Sequence, residues 1–217
     1  MKIKLVSEVS IDGKITFGEG TSSKDLFSLL STEDMEYIHE IRSKADGILV
    51  GMNTIRNDNP SLTCRYVEGK NPIRIVPSNS LEIPEDATIL NDNVPTIIIT
   101  PEINKEAVKK YEKYQNVNFI FAGKEKLDFE DAFSKLENQY NIHTVMLEGG
   151  GTLNWNLIDK DMVNELTIIR LPIVIGGKNN ISLVDGKGYD NCNLAKKFGL
   201  KGVEFRGNVI IGNYVKA

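Results

Sequence analysis

The sequence predicts an α/β protein built on a mostly parallel β-sheet, and three features of the 217-residue chain predict it. Between residues 31 and 155, apolar β-branched runs alternate with amphipathic helical stretches. That order implies right-handed crossovers and a parallel sheet covered on both faces. Polar loops, several with glycine, follow these runs. After residue 161 the rhythm changes to strand after strand, the pattern of an antiparallel edge added to a parallel core. No internal repeat, low-complexity segment or linker interrupts the chain, so a single domain over 1–217 is expected.

Lys2 to Val9 alternates with β-branched residues and predicts a strand. It runs into Ser10-Ile11-Asp12-Gly13-Lys14, where Asp-Gly is a turn signal. Asp12 and Lys14 there are either turn residues or, at a strand's C-terminal end, ligand-facing ones. Residues 16–25 read as a mobile loop. Ser31 to Lys44 predicts a helix with Ser31 as N-cap and Met35, Ile38, Ile41 and Ala45 as its buried face. His39 and Arg42 fall off that face, so a solvated arginine is the default. Asp46 to Gly51 predicts a central parallel strand, followed by a polar loop from Met52 to Arg65. Further strands are expected at Ile73 to Pro77, Thr96 to Thr100, Val117 to Ala122 and 142–147. Helices are expected over 102–115 and from an Asp128 cap through Phe129, Phe133, Leu136 and Tyr140. Met162 to Ile175 reads as one long strand, broken at Pro172, and the tail as two strands near 200–206 and 208–215.

The chain is organised around Val145-Met146-Leu147-Glu148-Gly149-Gly150-Gly151-Thr152-Leu153-Asn154-Trp155. An apolar run ends in a carboxylate, three glycines follow, and a helix start comes next. Free N–H groups at a helix start make a site for phosphate oxygens. The alternative is a tight strand-to-helix turn that holds nothing. The spacing is not G-x-G-x-x-G, so the usual dinucleotide fingerprint does not apply.

Composition narrows the classes. Hydrophobic content of 41% and charged content of 26% are ordinary for a soluble globular protein. A net charge of −4 argues against a general nucleic-acid binder. Glu8 interrupts the short N-terminal apolar run, which excludes a signal peptide there, and no apolar stretch approaches the roughly 20 residues of a membrane span. A soluble cytoplasmic protein is expected. Cys64 and Cys192 lie far apart without a C-x-x-C, and His39 and His143 are the only histidines. Neither a disulfide framework nor a metal site is indicated. With no Ser-His-Asp triad or Walker A sequence, the loops point to a phosphorylated or dinucleotide ligand and to chemistry done by a cofactor.

Five motifs in order carry a resemblance. They are Ser10-Ile11-Asp12-Gly13-Lys14; His39-x-x-Arg42; Gly51-x-x-Thr54-x-x-x-Asp58-x-Pro60-x-Leu62-Thr63; Asn71-Pro72-Ile73-Arg74; and Leu147-Glu148-Gly149-Gly150-Gly151-Thr152-Leu153. Together they resemble the riboflavin-biosynthesis reductases over nearly the whole chain, from about Lys2 to Tyr214. The resemblance implies a dihydrofolate-reductase-like three-layer αβα fold with a mixed, mostly parallel sheet and a C-terminal antiparallel hairpin, assembled as a homodimer. It implies NADPH, with NADH as the alternative, and a phosphorylated pyrimidine substrate, with no nucleic acid and no membrane partner. The activity implied is reduction of the ribosylamino side chain of 2,5-diamino-6-ribosylamino-4(3H)-pyrimidinone 5′-phosphate. The alternatives are the deaminated compound, another pteridine or pyrimidine substrate, or a nucleotide-binding protein without catalysis.

Carried over by motif, Thr54, Asp58, Ser78, Asn79, Gly149, Gly150, Gly151, Thr152 and Leu153 resemble cofactor positions. Arg42, Leu62, Arg65 and Glu148 resemble substrate positions, the two arginines for the phosphate and Glu148 for the pyrimidine amino groups. Asp12 and Lys14 are the candidates for assisting the reaction, with fixing the turn as the rival role of Asp12. The chain departs from the family where Asn57-Asp58-Asn59-Pro60 replaces Asp-Asp-Pro and Ser78-Asn79 replaces Asp-Ser. The loop 16–30 lacks the family's tryptophan, and no zinc deaminase motif is present.

Overall fold

The computed structural model describes residues 1–18 and 20–217; Glu19, within the 16–30 loop, lies outside the described residues. In chain order the elements are β1 (Lys2–Val9), α1 (Lys24–Phe27), α2 (Thr32–Ser43), β2 (Gly47–Val50), α3 (Met52–Asp58), β3 (Ile73–Pro77), α4 (Thr88–Asn91), β4 (Thr96–Thr100), β5 (Val117–Phe121), α5 (Phe129–Tyr140), β6 (Thr144–Gly149), α6 (Gly151–Asp159), β7 (Glu165–Arg170), β8 (Phe198–Arg206) and β9 (Val209–Lys216). Two 3₁₀ turns, Glu102–Asn104 and Ala107–Tyr111, lie between β4 and β5. The chain forms two compact units, one of Met1 with His39–Val145 and one of Lys2–Ile38 with Met146–Ala217.

In the first unit β5, β4, β3 and β2 lie side by side, all parallel. Strand alternation sends Ile48, Val50, Val76 and Ile98 to one face, where they pack with Met52, Ile55, Leu62, Leu81, Ile89 and Tyr111. Leu49, Ile75, Ile97 and Ile99 on the other face are buried as well. Burial on both faces explains why these strands read as continuous apolar runs. In the second unit β1 and β7 are parallel, while β9 is antiparallel to both β7 and β8. The strands are thus mostly parallel and end in an antiparallel hairpin, as predicted.

Local signals explain the elements that match expectation. The Asp128 carboxylate accepts the N–H groups of Glu130 (3.0 Å) and Asp131 (3.2 Å) and caps α5. Ser31 and Asp34 form a reciprocal cap on α2: Ser31 Oγ accepts the Asp34 N–H (3.1 Å), and Asp34 Oδ2 accepts the Ser31 N–H (3.0 Å). β7 stops at Arg170, before Pro172.

Four expectations are corrected. The buried residues of α2 are Asp34, Ile38, His39 and Arg42, not a stripe of Met35, Ile38, Ile41 and Ala45. His39 and Arg42 on that face are held by the 61–65 segment and Asp34 Oδ2 by Ser31, so apolar periodicity misplaced it. Met52 to Asp58 is a helix rather than loop, with Met52 and Ile55 buried at i, i+3 and Asn59 in a left-handed C-cap that ends it. The 102–115 stretch forms 3₁₀ turns instead of an α-helix; it buries only Tyr111 within those turns, so no apolar face docks a longer helix. The 16–30 loop contains the short α1, whose Leu26 is buried.

Candidate functional site

In the first unit, four of the residues singled out from sequence meet on the 61–65 segment. Arg42, with 7% of its surface exposed, donates from Nη1 to the Thr63 carbonyl (2.7 Å). The solvated default for this arginine therefore does not hold. Arg65 is exposed, and its Nη1 donates to Ser61 Oγ (3.0 Å) and Thr63 Oγ1 (3.2 Å). Its backbone N–H donates to Nδ1 of His39 (3.0 Å), a fully buried imidazole whose Nε2 lies 3.4 Å from Arg42 Nη1. Nδ1 accepts, so the ring proton sits on Nε2. Burial, then the charges of Arg42 and Arg65, lower the His39 pKa to about 4, and the ring is neutral near pH 7. Tyr66 leans on the same ring, with centroids 4.9 Å apart. Leu62 is buried with φ of +54°, a left-handed conformation uncommon for a branched apolar residue.

Arg74 holds this segment in place. Its side chain is wholly buried, donates from Nε and Nη2 to the Ser61 carbonyl (2.9 and 2.5 Å), and pairs with both carboxylate oxygens of Asp92. In the sequence Arg74 stands out only as the last residue of the Asn71-Pro72-Ile73-Arg74 motif. The stronger signal was a charged residue inside the apolar run Ile73-Arg74-Ile75-Val76, because a charge in a central strand requires a partner.

Thr54 and Asp58 sit four residues apart on α3 and so share a face of that helix. Ser78 is buried and its Oγ accepts the Leu81 N–H (3.0 Å). Asn79 is exposed; its Oδ1 accepts the Leu127 N–H (3.0 Å) and its carbonyl accepts Asn104 Nδ2 (2.8 Å). The two side chains thus organise the turns after β3 and β5, and the Asn79 carbonyl reaches the turn after β4.

In the second unit β6 ends in half-buried Glu148 and then Gly149, and α6 begins at Gly151. Gly149 has φ of +88°, and a Cβ there would lie 3.1 Å from the Asn154 amide. Gly150 is the N-cap of α6 and supplies no side-chain cap. A Cβ on Gly151 would meet the Ser182 carbonyl at 2.5 Å and Asp185 Cβ at 2.8 Å. Thr152 is exposed and Leu153 buried in the first turn. The three glycines therefore give the start of α6 no side chains of its own, only backbone N–H groups and the positive end of the helix dipole.

Asp12 and Lys14, in the same unit, bond to residues 175–182, a stretch whose Ser182 reaches Gly151. Asp12 Oδ1 accepts Ser10 Oγ (2.7 Å) and the Ile175 N–H (3.0 Å), and Oδ2 accepts the Gly176 N–H (2.7 Å). The Ser10 hydroxyl, then those two amides, lower its pKa to about 2. Lys14 Nζ donates to the Asn180 carbonyl (2.9 Å) and Ser182 Oγ (3.0 Å). Neither these partners nor the Asn154 bond to the Leu183 carbonyl (2.7 Å) left a mark in the sequence, because the partners lie 29 to 168 residues away.

The mostly parallel strands and the closing antiparallel hairpin are those of the dihydrofolate-reductase-like class of α/β protein that the motif resemblance implies. Within that class, this chain belongs to the RibD C-terminal domain family, whose profile matches residues 1–211. The 2,5-diamino-6-ribosylamino-4(3H)-pyrimidinone 5′-phosphate reductase of Aquifex aeolicus is 43% identical over 95% of this chain and 92% of its own. The protein of the same name from Methanothermobacter thermautotrophicus is 32% identical over 97% and 95%. Acinetobacter baumannii RibD shares the fold, with a TM-score of 0.81 at 16% identity; the match covers this whole chain and 58% of that longer one. The riboflavin biosynthesis reductase Rib7 of Saccharomyces matches with a TM-score of 0.72 at 21% identity, over 100% of this chain and 90% of its own.

Proposed function

We propose that the protein reduces the ribosylamino side chain of 2,5-diamino-6-ribosylamino-4(3H)-pyrimidinone 5′-phosphate to the ribitylamino product, with NADPH as the reductant. The observation that carries this reading is the 43% identity, across almost the full length of both chains, to a reductase of that name. The glycine turn fits a dinucleotide cofactor. Gly149 adopts a positive φ, Gly150 leaves the helix start uncapped and Gly151 is too close to its neighbours for any side chain, so only backbone N–H groups are offered to an anion. A bound NADPH would supply a hydride.

The chain's own residues do the rest. Gly149 to Leu153 bind the pyrophosphate oxygens through α6 N–H groups, Thr54 and Asp58 bind the cofactor's polar groups, and Ser78 and Asn79 shape the turn at its adenosine end. Arg42 and Arg65 bind the ribose phosphate, for which a guanidinium fork is matched in shape and charge. Leu62 excludes water beside them, and Glu148 accepts hydrogen bonds from the pyrimidine amino groups. Alignment of the substrate carbon with the hydride donor is the main catalytic task. No described helix is long and apolar enough to cross a membrane.

A homodimer belongs to the same proposal. Leu200, Val203, Phe205 and Ile210 share one face of the β8–β9 hairpin and are all exposed, Phe205 by 77%. An apolar face of this kind on an outermost strand favours burial against a second copy.

The test is NADPH oxidation by the purified protein with the diamino compound and its deaminated counterpart in parallel. Turnover with the diamino compound is expected. Turnover of the deaminated compound alone would shift the substrate, and turnover of neither would refute the proposal.

A further inference from the structure

The Ser10–Lys14 motif has no role in the function so far, although its side chains are heavily engaged. Beyond the bonds within the motif, Ile11, Asp12, Gly13 and Lys14 all bond to one segment, residues 173–185. β1 and β7 are parallel, so the chain leaving β1 at Ser10 and the chain leaving β7 at Leu171 emerge at the same sheet edge. There the two run together. The Ile11 N–H donates to the Ile173 carbonyl (2.8 Å), the Ile15 N–H to the Ile181 carbonyl (2.9 Å), and the Leu183 N–H to the Gly13 carbonyl (3.0 Å). The Asp12 carboxylate takes the Ile175 and Gly176 amides, and the Lys14 ammonium takes the Asn180 carbonyl and the Ser182 hydroxyl.

The same segment then presses on the glycine turn. The Asp185 N–H donates to the Gly151 carbonyl (3.0 Å), and the Ser182 carbonyl stands where a Gly151 side chain would be. Asn154 closes the arrangement from α6. It is 1% exposed, its Nδ2 donates to the Leu183 carbonyl, and its amide packs against Gly149. Leu183 accepts, which fixes the orientation of that amide and leaves Oδ1 buried without a partner.

We propose that residues 173–185 form a strap that sets the position of the glycine turn, and that Asp12, Lys14 and Asn154 are positioning residues that hold the strap there. This rests on the cofactor reading of the turn. It also separates the two roles open to Asp12 and Lys14, because their polar atoms are aimed at the strap and charge-assisted bonds of this kind order a loop strongly. Asp12 and Lys14 then act on cofactor affinity, and neither delivers the proton.

The experiment compares Lys14→Met, Lys14→Arg, Asp12→Asn and the unmodified protein, measuring the NADPH Kd by calorimetry and kcat at saturating NADPH. Lys14→Met is expected to raise Kd about tenfold or more, the factor that a lost charge-assisted hydrogen bond commands. Lys14→Arg should recover most of the affinity, and kcat at saturation should stay within about threefold of the unmodified value, since each lost decade requires about 1.4 kcal/mol. A merely structural role would lower kcat through the active fraction and leave Kd unchanged. Asp12→Asn should behave like Lys14→Met, and its pH–rate profile should keep the same limbs.

An unchanged Kd in Lys14→Met, or a Kd unchanged with kcat abolished in Asp12→Asn, overturns the assignment. If a variant fails to fold, amide exchange of the unmodified protein decides. Slow exchange at Ile175 and Gly176 is expected, and exchange at solvent rates overturns the strap. If NADPH binds and the strap variants weaken it while no pyrimidine turns over, the substrate proposal fails and the strap stands; if NADPH does not bind at all, both fail.

Discussion

Removing the Asp92 carboxylate by Asp92→Ala tests how the 61–65 segment is held. Arg74 is fully buried and Asp92 is 30% exposed, so the substitution strands a guanidinium whose remaining acceptor is the Ser61 carbonyl. Breaking one side of a buried pair costs about 3–5 kcal/mol; water reaching the half-open Asp92 side places this case near ~3 kcal/mol. For a chain of this length that is a fall in Tm of roughly 6–12 °C, at about 2–4 °C per kcal/mol. Urea unfolding, with m unchanged, gives the free energy directly. The double variant Arg74→Met with Asp92→Leu removes both charges and should recover about half of the loss, leaving the orphaned Ser61 carbonyl and Val94 N–H as the residual cost. The effect carries a pH signature. Burial pushes the Asp92 carboxyl up, but the Arg74 hydrogen bond, the Val94 N–H and the Arg74 charge outweigh it and hold the group below the ordinary carboxylate range. Its contribution is therefore full above the unfolded pKa near ~4 and is lost as pH falls through the lower folded value. A loss under about 1 kcal/mol, or single-variant effects that simply add, would refute the view that this pair anchors the segment.

Four further outcomes follow from the same geometry. The His39 ring should show no proton uptake by NMR between pH 7 and 5, and the unfolded chain takes up that proton near ~6.5, so its share of stability is full above that pH and falls below it; a native titration midpoint above 6 contradicts the buried neutral ring. His39→Leu should raise the KM for the phosphorylated substrate about tenfold through loss of the Arg65 N–H bond while the NADPH Kd stays fixed, and equal loss of both sinks this role. Gly151→Ala should weaken NADPH binding and cost about 1–3 kcal/mol of stability as the Ser182 carbonyl is displaced, measured by calorimetry and urea unfolding; wild-type values would show that the contact yields freely. Phe205→Glu should give a smaller species by sedimentation at unchanged helix content, and an unaltered mass would move the interface elsewhere.

Much of the architecture was legible from the residues. Apart from Arg74, β3 and β4 are runs rich in β-branched residues and buried on both faces, and their limits matched the structure. α5 was legible because Asp128 caps it and its aromatic residues recur on one face. α3 was hidden because only Met52, Ile55 and Asp58 are buried in a polar stretch, and its helix stop is a left-handed Asn59 rather than glycine. The buried side of α2 could not be found by hydropathy, because His39 and Arg42 occupy it and are satisfied by a loop more than twenty residues away.

By itself the sequence determined the mostly parallel α/β class, the closing hairpin, the family, and the bare glycine turn before α6, since periodicity, caps and glycine act over a few residues. Only the tertiary structure decided that Arg42 is buried, that Arg74 and Asp92 clamp Ser61, and that Asp12, Lys14 and Asn154 all engage residues 173–185. Those facts depend on hydrogen bonds between groups far apart in the chain. A polar side chain carries no local sign of whether its partner will be water or a distant carbonyl.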